Sequence, residues 1–132
     1  MESHVAFTNF YNSLDIVAEV VYDNQVEKGF HDSHIIPSIV RGGEAEKELD
    51  QLEITKRLAL CICEISEGIE AVRKNILVSE HIPEFCGLEE ELADTVIRIL
   101  DLSGQLKLRL AEAIKAKLSY NKTRGYKHGK NF

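Results

Sequence analysis

Two pairs of acidic residues, Glu64 with Glu67 and Glu91 with Asp94, constrain this chain more than any other feature. The pairs are separated by 23 residues, and the partners within a pair are three positions apart. Because a helix turns by about 100° per residue, the members of a pair lie within roughly 60° of each other on one helical face. Residues 58–65 around the first pair are apolar almost all round, which predicts a helix with little surface facing water.

We call the helix faces that carry the two pairs the acidic stripes. If these stripes face each other, four carboxylates meet inside a helical bundle. Such a cluster needs protons or a cation, because buried carboxylates lose hydration and repel one another. Hard oxygen ligands suit Mg²⁺ or Mn²⁺, so the spacing predicts a divalent-metal site formed by Glu64, Glu67, Glu91 and Asp94. The alternative is a pair of solvated acidic helix faces. The apolar flanks of the first pair and the matching second pair favour the metal site.

The spacing of apolar residues predicts a single all-α domain covering the whole chain. The expected helices run through about residue 28, from residue 44 or 48 to 74, from 88 to 102 and from 108 to 122. An apolar seam on the first helix is interpreted as bundle core or subunit contact and consists of Phe7, Phe10, Leu14, Val17 and Val21.

Glycines mark two of the expected helix ends. Gly29 is predicted to end the first helix, and Gly104 is predicted to lie just beyond the third. Residues 30–45 then form a long loop. Within this loop, His31 and His34 are either a solvated pair or metal ligands, and the solvated pair is favoured because no rigid helix fixes their spacing.

Cysteine content and charge exclude several classes of function. The three cysteines, Cys61, Cys63 and Cys86, include no Cys-x-x-Cys, which predicts reduced thiols in a cytoplasmic protein. The apolar segment around Cys61 and Cys63 should raise their pKa values, which argues against a cysteine nucleophile. We expect no membrane span and no signal peptide, because no long apolar run occurs.

The net charge of −6 argues against nucleic acid as a partner. Residues 115–132 are an exception, with six Lys or Arg and no Asp or Glu, and this basic end either meets phosphates or pairs with the acidic remainder. The chain has no Walker-type glycine-rich loop and no Glu-x-x-His, so P-loop and ferritin-like di-iron chemistry are not expected.

The run from Glu90 to Asp101, together with Glu64-x-x-Glu67, resembles the MazG-like all-α nucleoside triphosphate pyrophosphohydrolases. Residues 117–124 and 126–130 are also similar to that family, and the likeness covers roughly residues 50–132, with a weaker match at residues 24–30. The resemblance implies a four-helix bundle of this type completed by dimerisation, as a homodimer or a homotetramer. It also implies a Mg²⁺-dependent enzyme that hydrolyses a (deoxy)nucleoside triphosphate to the monophosphate and pyrophosphate in nucleotide-pool house-cleaning.

The resemblance assigns roles within the acidic stripes. The four carboxylates would hold the metal ion, and Glu67 is the preferred general base because it lies at the centre of Glu64, Glu67 and Glu70. Arg98 lies one turn after Asp94. It either binds substrate phosphate or forms an internal salt bridge with Asp94 or Asp101.

The resemblance also implies nucleotide contacts outside these stripes. The family has a Lys-x-x-x-Asn pattern that contacts nucleotide, which is matched here by Lys117 and Asn121. Further substrate-binding candidates in the basic end are Lys122, Arg124 and Lys127. Phe30 and His31 are candidates for stacking on the base. The chain departs from the family before the last helix, where Lys107 and Arg109 replace a frequent Gly and Asp and leave the helix start uncertain.

Two other functions are compatible with the same residues. One is a non-catalytic helical interaction module that binds nucleotide or metal without turnover. Another is a dUTPase-type or phosphoribosyl-ATP enzyme of the same superfamily.

Overall fold

Four helices make up the described part of the chain. The structure is a computed structural model that describes residues 2–31 and 44–124, with side chains for residues 9, 10, 12–31 and 51–124. The helices are α1 (Glu2–Glu27), α2 (Glu44–Arg73), α3 (Gly87–Leu106) and α4 (Leu110–Lys122). The described residues include no strand, which confirms the all-α prediction for this part of the chain. His34, Lys127, the Phe7 side chain and most of the expected loop lie outside the described residues.

The third helix lies at the centre of the arrangement. α2 and α1 both pack along α3, and α4 packs against α1. None of the described helices is long and apolar enough to cross a lipid bilayer.

Gly29 ends α1 as predicted. Its φ of 77° is in the left-handed region, where a residue without a Cβ atom is favoured. The Gly29 N–H donates to the Val26 carbonyl at 3.0 Å, and the Phe30 N–H donates to the Gln25 carbonyl at 3.1 Å. These two bonds satisfy carbonyls that the helix leaves without partners and close its last turn.

The prediction that Gly104 lies beyond the third helix is wrong. α3 continues to Leu106 and ends at Lys107, which has a φ of 51°. Gly104 therefore lies inside α3. A glycine fits there because α1 approaches α3 closely at this position. A Cβ atom at Gly104 would lie 2.9 Å from the Tyr22 Cβ and 3.2 Å from the Ala18 carbonyl oxygen. The longer α3 also delays the start of α4 from the expected residue 108 to Leu110.

The core of the single chain is thin. None of the described large side chains is fully buried, and the buried apolar residues are Cys61, Ala71, Leu100, Leu102 and Ala111. Burial raises the pKa of Cys61 as expected. Cys63, by contrast, is exposed, contrary to the expectation that residues 58–65 have little surface facing water. It lies on the side of α2 that α3 does not cover.

A broad apolar surface remains exposed on α2 and α3, contrary to the expectation that little of α2 faces water. On α2, Ile62 is 64% exposed and Ile65 is 49% exposed. We call this surface the apolar face; it consists of Leu58, Ile62, Ile65, Ile69 and Val72 on α2 and Leu88, Leu92, Val96 and Ile99 on α3. A groove of about 320 Å³ lies between the α2 residues and the α3 residues of this apolar face.

Candidate metal centre and flanking cavities

Three of the four predicted metal ligands converge where α2 packs against α3. One carboxylate oxygen from each of Glu64, Glu67 and Glu91 lies within 4.8 Å of the other two. Glu64 is buried, Glu91 is half-buried and Glu67 is exposed. Gly68 lies beside them, and a Cβ atom there would be 3.5 Å from the Glu91 Cβ. The acidic edges of the two helices therefore face each other at this level.

The electrostatics of this cluster favour a cation. The pKa of Glu91 is raised, first by burial and then by the negative charges of Glu67 and Glu64. Ionised carboxylates this close together repel one another. A hard divalent cation removes this repulsion. Three oxygen ligands would leave coordination positions on such a cation for water or phosphate.

Asp94 does not join the three converging carboxylates. It lies one turn further along α3, where burial, followed by the charges of Glu64 and Glu90, raises its pKa. The positive charge of Arg98 acts in the opposite direction. Asp94 is thus electrostatically coupled to the cluster, and its carboxylate faces the two cavities described below.

Arg98 forms an internal salt bridge, but with a different partner from the two predicted. Its Nε donates to Glu64 Oε1 at 2.5 Å, rather than to Asp94 or Asp101. The Arg98 side chain remains 39% exposed and lines a cavity. It therefore compensates the buried Glu64 charge and still presents positive charge to a ligand.

A second buried network lies further along α3 and was not predicted from the sequence. Arg57 donates from Nη1 to Asp101 Oδ2 at 2.7 Å, and His31 Nε2 lies 2.9 Å from Asp101 Oδ1. Asp101 is only 7% exposed, and the edge of the Tyr22 ring faces the His31 ring at 5.0 Å between centroids. His31 is therefore a structural link between α1 and α3, not a solvated residue. A signal was present, because Arg57 is seven residues before Glu64 and so lies on the same face of α2.

Two cavities flank the carboxylates, and Asp94 lines both. The first has a volume of about 490 Å³. We call it the α1-side cavity; it is lined by Gln25, Gly29, Phe30, Glu53, Lys56, Arg57, Leu60, Asp94, Ile97, Arg98 and Asp101. The second has a volume of about 590 Å³. We call it the loop-side cavity; it is lined by Glu67, Glu70, Ala71, Lys74, Ile76, Val78, Glu80, His81, Gly87, Glu90, Glu91 and Asp94.

The structure does not bring the predicted nucleotide-binding residues of α4 to these cavities. None of Lys117, Asn121, Lys122 and Arg124 lines either one. The Lys117 ammonium lies 4.9 Å from the centre of the Tyr120 ring. The buried Asn121 Oδ1 has no hydrogen-bond partner among the described residues.

No family model matches this chain, and no curated protein or solved structure matches it either. The resemblance to the MazG-like enzymes therefore stays a prediction made from the acidic and basic motifs.

Proposed function

We propose that this chain is a Mg²⁺-dependent nucleoside triphosphate pyrophosphohydrolase that releases a monophosphate and pyrophosphate. The observation that supports it most directly is the convergence of Glu64, Glu67 and Glu91 oxygens within 4.8 Å. Oxygen ligands of this kind suit Mg²⁺, which binds proteins through a few carboxylates and keeps the remaining positions for water and substrate phosphates.

The α1-side cavity is the proposed site for the nucleoside. Its volume of about 490 Å³ is within the range of small-molecule sites. Phe30 is 62% exposed and offers a ring on which a base can stack. Lys56 and Arg98 contribute positive charge to its lining, and Arg98 lies beside the carboxylates because it is bonded to Glu64. A nucleotide bound in this way has its phosphates directed towards the metal ligands.

The proposed reaction is an attack of water on the α-phosphorus. When bound, Mg²⁺ would neutralise negative charge that develops on the phosphate oxygens. Glu67 is the most exposed of the three carboxylates and takes the proton of the attacking water. The water oxygen forms a bond to the α-phosphorus. The bond to the oxygen bridging the α- and β-phosphates breaks, and pyrophosphate leaves with that electron pair.

The proposal includes a second copy of the chain. The α2 residues of the apolar face recur at 4-3-4-3 spacing, which is typical of a helix packed in a bundle. Two copies related by a two-fold axis can pair these faces and form a core of four helices, two from each copy. The groove in this face is bordered by Glu64 and Glu91, so the interface would adjoin the metal site.

The experiment is incubation of the protein with a panel of ribonucleoside and deoxyribonucleoside triphosphates in the presence of Mg²⁺. We expect monophosphate and pyrophosphate as products and a preference for one base. Glu67→Gln should lower kcat at least about a hundredfold, because it removes the general base. Glu112→Gln, an exposed change on α4, is the matched control and should leave kcat unchanged.

Two outcomes would contradict this proposal. Release of phosphate and a diphosphate would mean that attack is not at the α-phosphorus. Tight binding of triphosphates without any hydrolysis would instead support a non-catalytic binding module.

A further inference from the structure

We propose that the loop-side cavity binds the pyrophosphate end of the substrate, and that His81 donates a hydrogen bond to it. This inference rests on the proposed function, since the direction of the substrate follows from the nucleoside lying in the α1-side cavity. Asp94 lines both cavities, so the two cavities adjoin each other at this residue. A nucleotide with its nucleoside in the α1-side cavity would extend its outer phosphates past Asp94 into the loop-side cavity.

His81 is held at this cavity by a buried support. Ser79, which is 2% exposed, donates its hydroxyl proton to Glu90 Oε2 at 2.5 Å. The same hydroxyl oxygen accepts the backbone N–H groups of His81 at 3.2 Å and Ile82 at 3.0 Å. Glu90 Oε1 lies 2.7 Å from His81 Nδ1. Hydrogen bonds to Glu90 thereby hold the connection between α2 and α3 against α3, and they orient the His81 imidazole.

The remaining nitrogen of His81 is suited to phosphate. Glu90 occupies Nδ1, which leaves Nε2 as a second donor when the ring is protonated. The hydrogen bond to Glu90 and the charge of that carboxylate raise the pKa of His81, and the charges of Glu80 and Asp94 act in the same direction. The His81 side chain is 78% exposed and the residue lines the loop-side cavity, so a ligand in the cavity can approach the ring.

The charge of the cavity makes such a donor important. Among the described residues, its lining includes six carboxylates and two basic residues, Lys74 and His81, so the cavity repels a polyphosphate unless cations compensate. Lys74 is already paired with Glu70 at 3.2 Å. Besides a bound divalent ion, His81 is then the basic group best placed to retain pyrophosphate. The structural alternative, that His81 only anchors the connection, predicts no effect on ligand binding.

The test is calorimetric titration of the full chain with inorganic pyrophosphate in the presence of Mg²⁺, and separately with a nucleoside monophosphate. We expect His81→Gln to weaken pyrophosphate binding about tenfold, as the loss of one charge-assisted hydrogen bond would. Binding of the monophosphate should change less than twofold. His81→Arg keeps a charged donor and should retain most of the affinity. Arg109→Gln removes an exposed positive charge at the start of α4, at a residue that lines neither the α1-side nor the loop-side cavity, and should bind like the wild type.

Equal pyrophosphate affinity in wild type and His81→Gln would overturn the inference, as would an equal loss of monophosphate affinity. These results are distinguishable from a failure of the proposed function. That failure would appear as an absence of triphosphate hydrolysis by the wild type, whereas the titration measures binding without turnover.

Discussion

Glu64, Glu67 and Glu91 carry three negative charges into a small volume, and among the described residues one positive charge is bonded to them. Arg98 pairs with Glu64, the buried member of the set. Glu67 and Glu91 retain their mutual repulsion, and this repulsion helps to raise the pKa of Glu91. The cluster is therefore destabilised as long as no cation compensates its charge.

We predict that Glu91→Gln stabilises the metal-free protein near neutral pH and abolishes stabilisation by Mg²⁺. A carboxyl group whose pKa is raised by folding destabilises the folded chain above that pKa. As the pH falls towards 4.5, the ordinary value for glutamate, the folded chain takes up the proton first and the destabilisation is relieved. Glutamine does not titrate, so the variant should gain less stability on mild acidification. Thermal unfolding at several pH values, with and without Mg²⁺, measures both effects.

Glu84→Gln is the control for this prediction, because Glu84 is an exposed glutamate in the connection between α2 and α3. It should respond to pH and Mg²⁺ like the wild type. If Mg²⁺ stabilises Glu91→Gln as much as it stabilises the wild type, Glu91 is not a metal ligand.

Helical periodicity was sufficient to predict which side of each helix is acidic, and Glu64, Glu67 and Glu91 do meet. It was not sufficient to predict the axial position of one helix relative to its neighbour, and therefore which residues of the two helices lie opposite each other. For that reason the partner of Arg98 was misassigned, and the link from Arg57 through Asp101 to His31 was missed. Such pairs depend on the relative axial position of two helices, which a pattern within one helix does not contain.

At the scale of elements, the approach of α1 to α3 positions the end of α1 beside the α1-side cavity. Gly104 permits this approach, since its missing side chain leaves room for Tyr22 and for the backbone at Ala18. A glycine after the last apolar position of a helix can indicate either a left-handed end or a close helix contact. Gly29 is the first kind and Gly104 is the second, and the sequence alone did not distinguish them.

We predict that a methyl group added at two helical glycines, Gly104 and Gly68, changes the free energy of unfolding in opposite directions. Gly104→Ala should lower the free energy of unfolding by about 1–3 kcal/mol, because the new Cβ would lie 2.9 Å from the Tyr22 Cβ. Gly68→Ala is the matched control within α2. There the nearest atoms are at an ordinary 3.5 Å, so the higher helix propensity of alanine should add about 0.5–1 kcal/mol. Denaturant unfolding of both variants measures the difference. A stabilising Gly104→Ala would mean that α1 does not pack as described.

At the scale of the whole molecule, the α2–α3 pair has two surfaces with different properties. One opens into the cavities beside the carboxylates, and the other is the apolar face. A single chain leaves that face in water and buries few large side chains among those described. Large contiguous apolar patches are rare on monomers and usually mark an interface. A second copy placed on the apolar face would cover its apolar side chains and would border Glu64 and Glu91.

We predict that Ile69→Lys converts a dimer, or a larger assembly, into a monomer. Ile69 is 60% exposed and lies in the groove of the apolar face, so lysine there would place a charge at the centre of a paired interface. Leu52→Lys is the matched control, because Leu52 is 66% exposed on the same helix but lies outside the apolar face. Sedimentation of wild type, Ile69→Lys and Leu52→Lys over a range of concentrations measures the assembly. The melting temperature of the wild type should rise with concentration, whereas that of Ile69→Lys should not. A wild type that stays monomeric at high concentration, or an equal effect of the two substitutions, would show that the apolar face does not pair with a second copy.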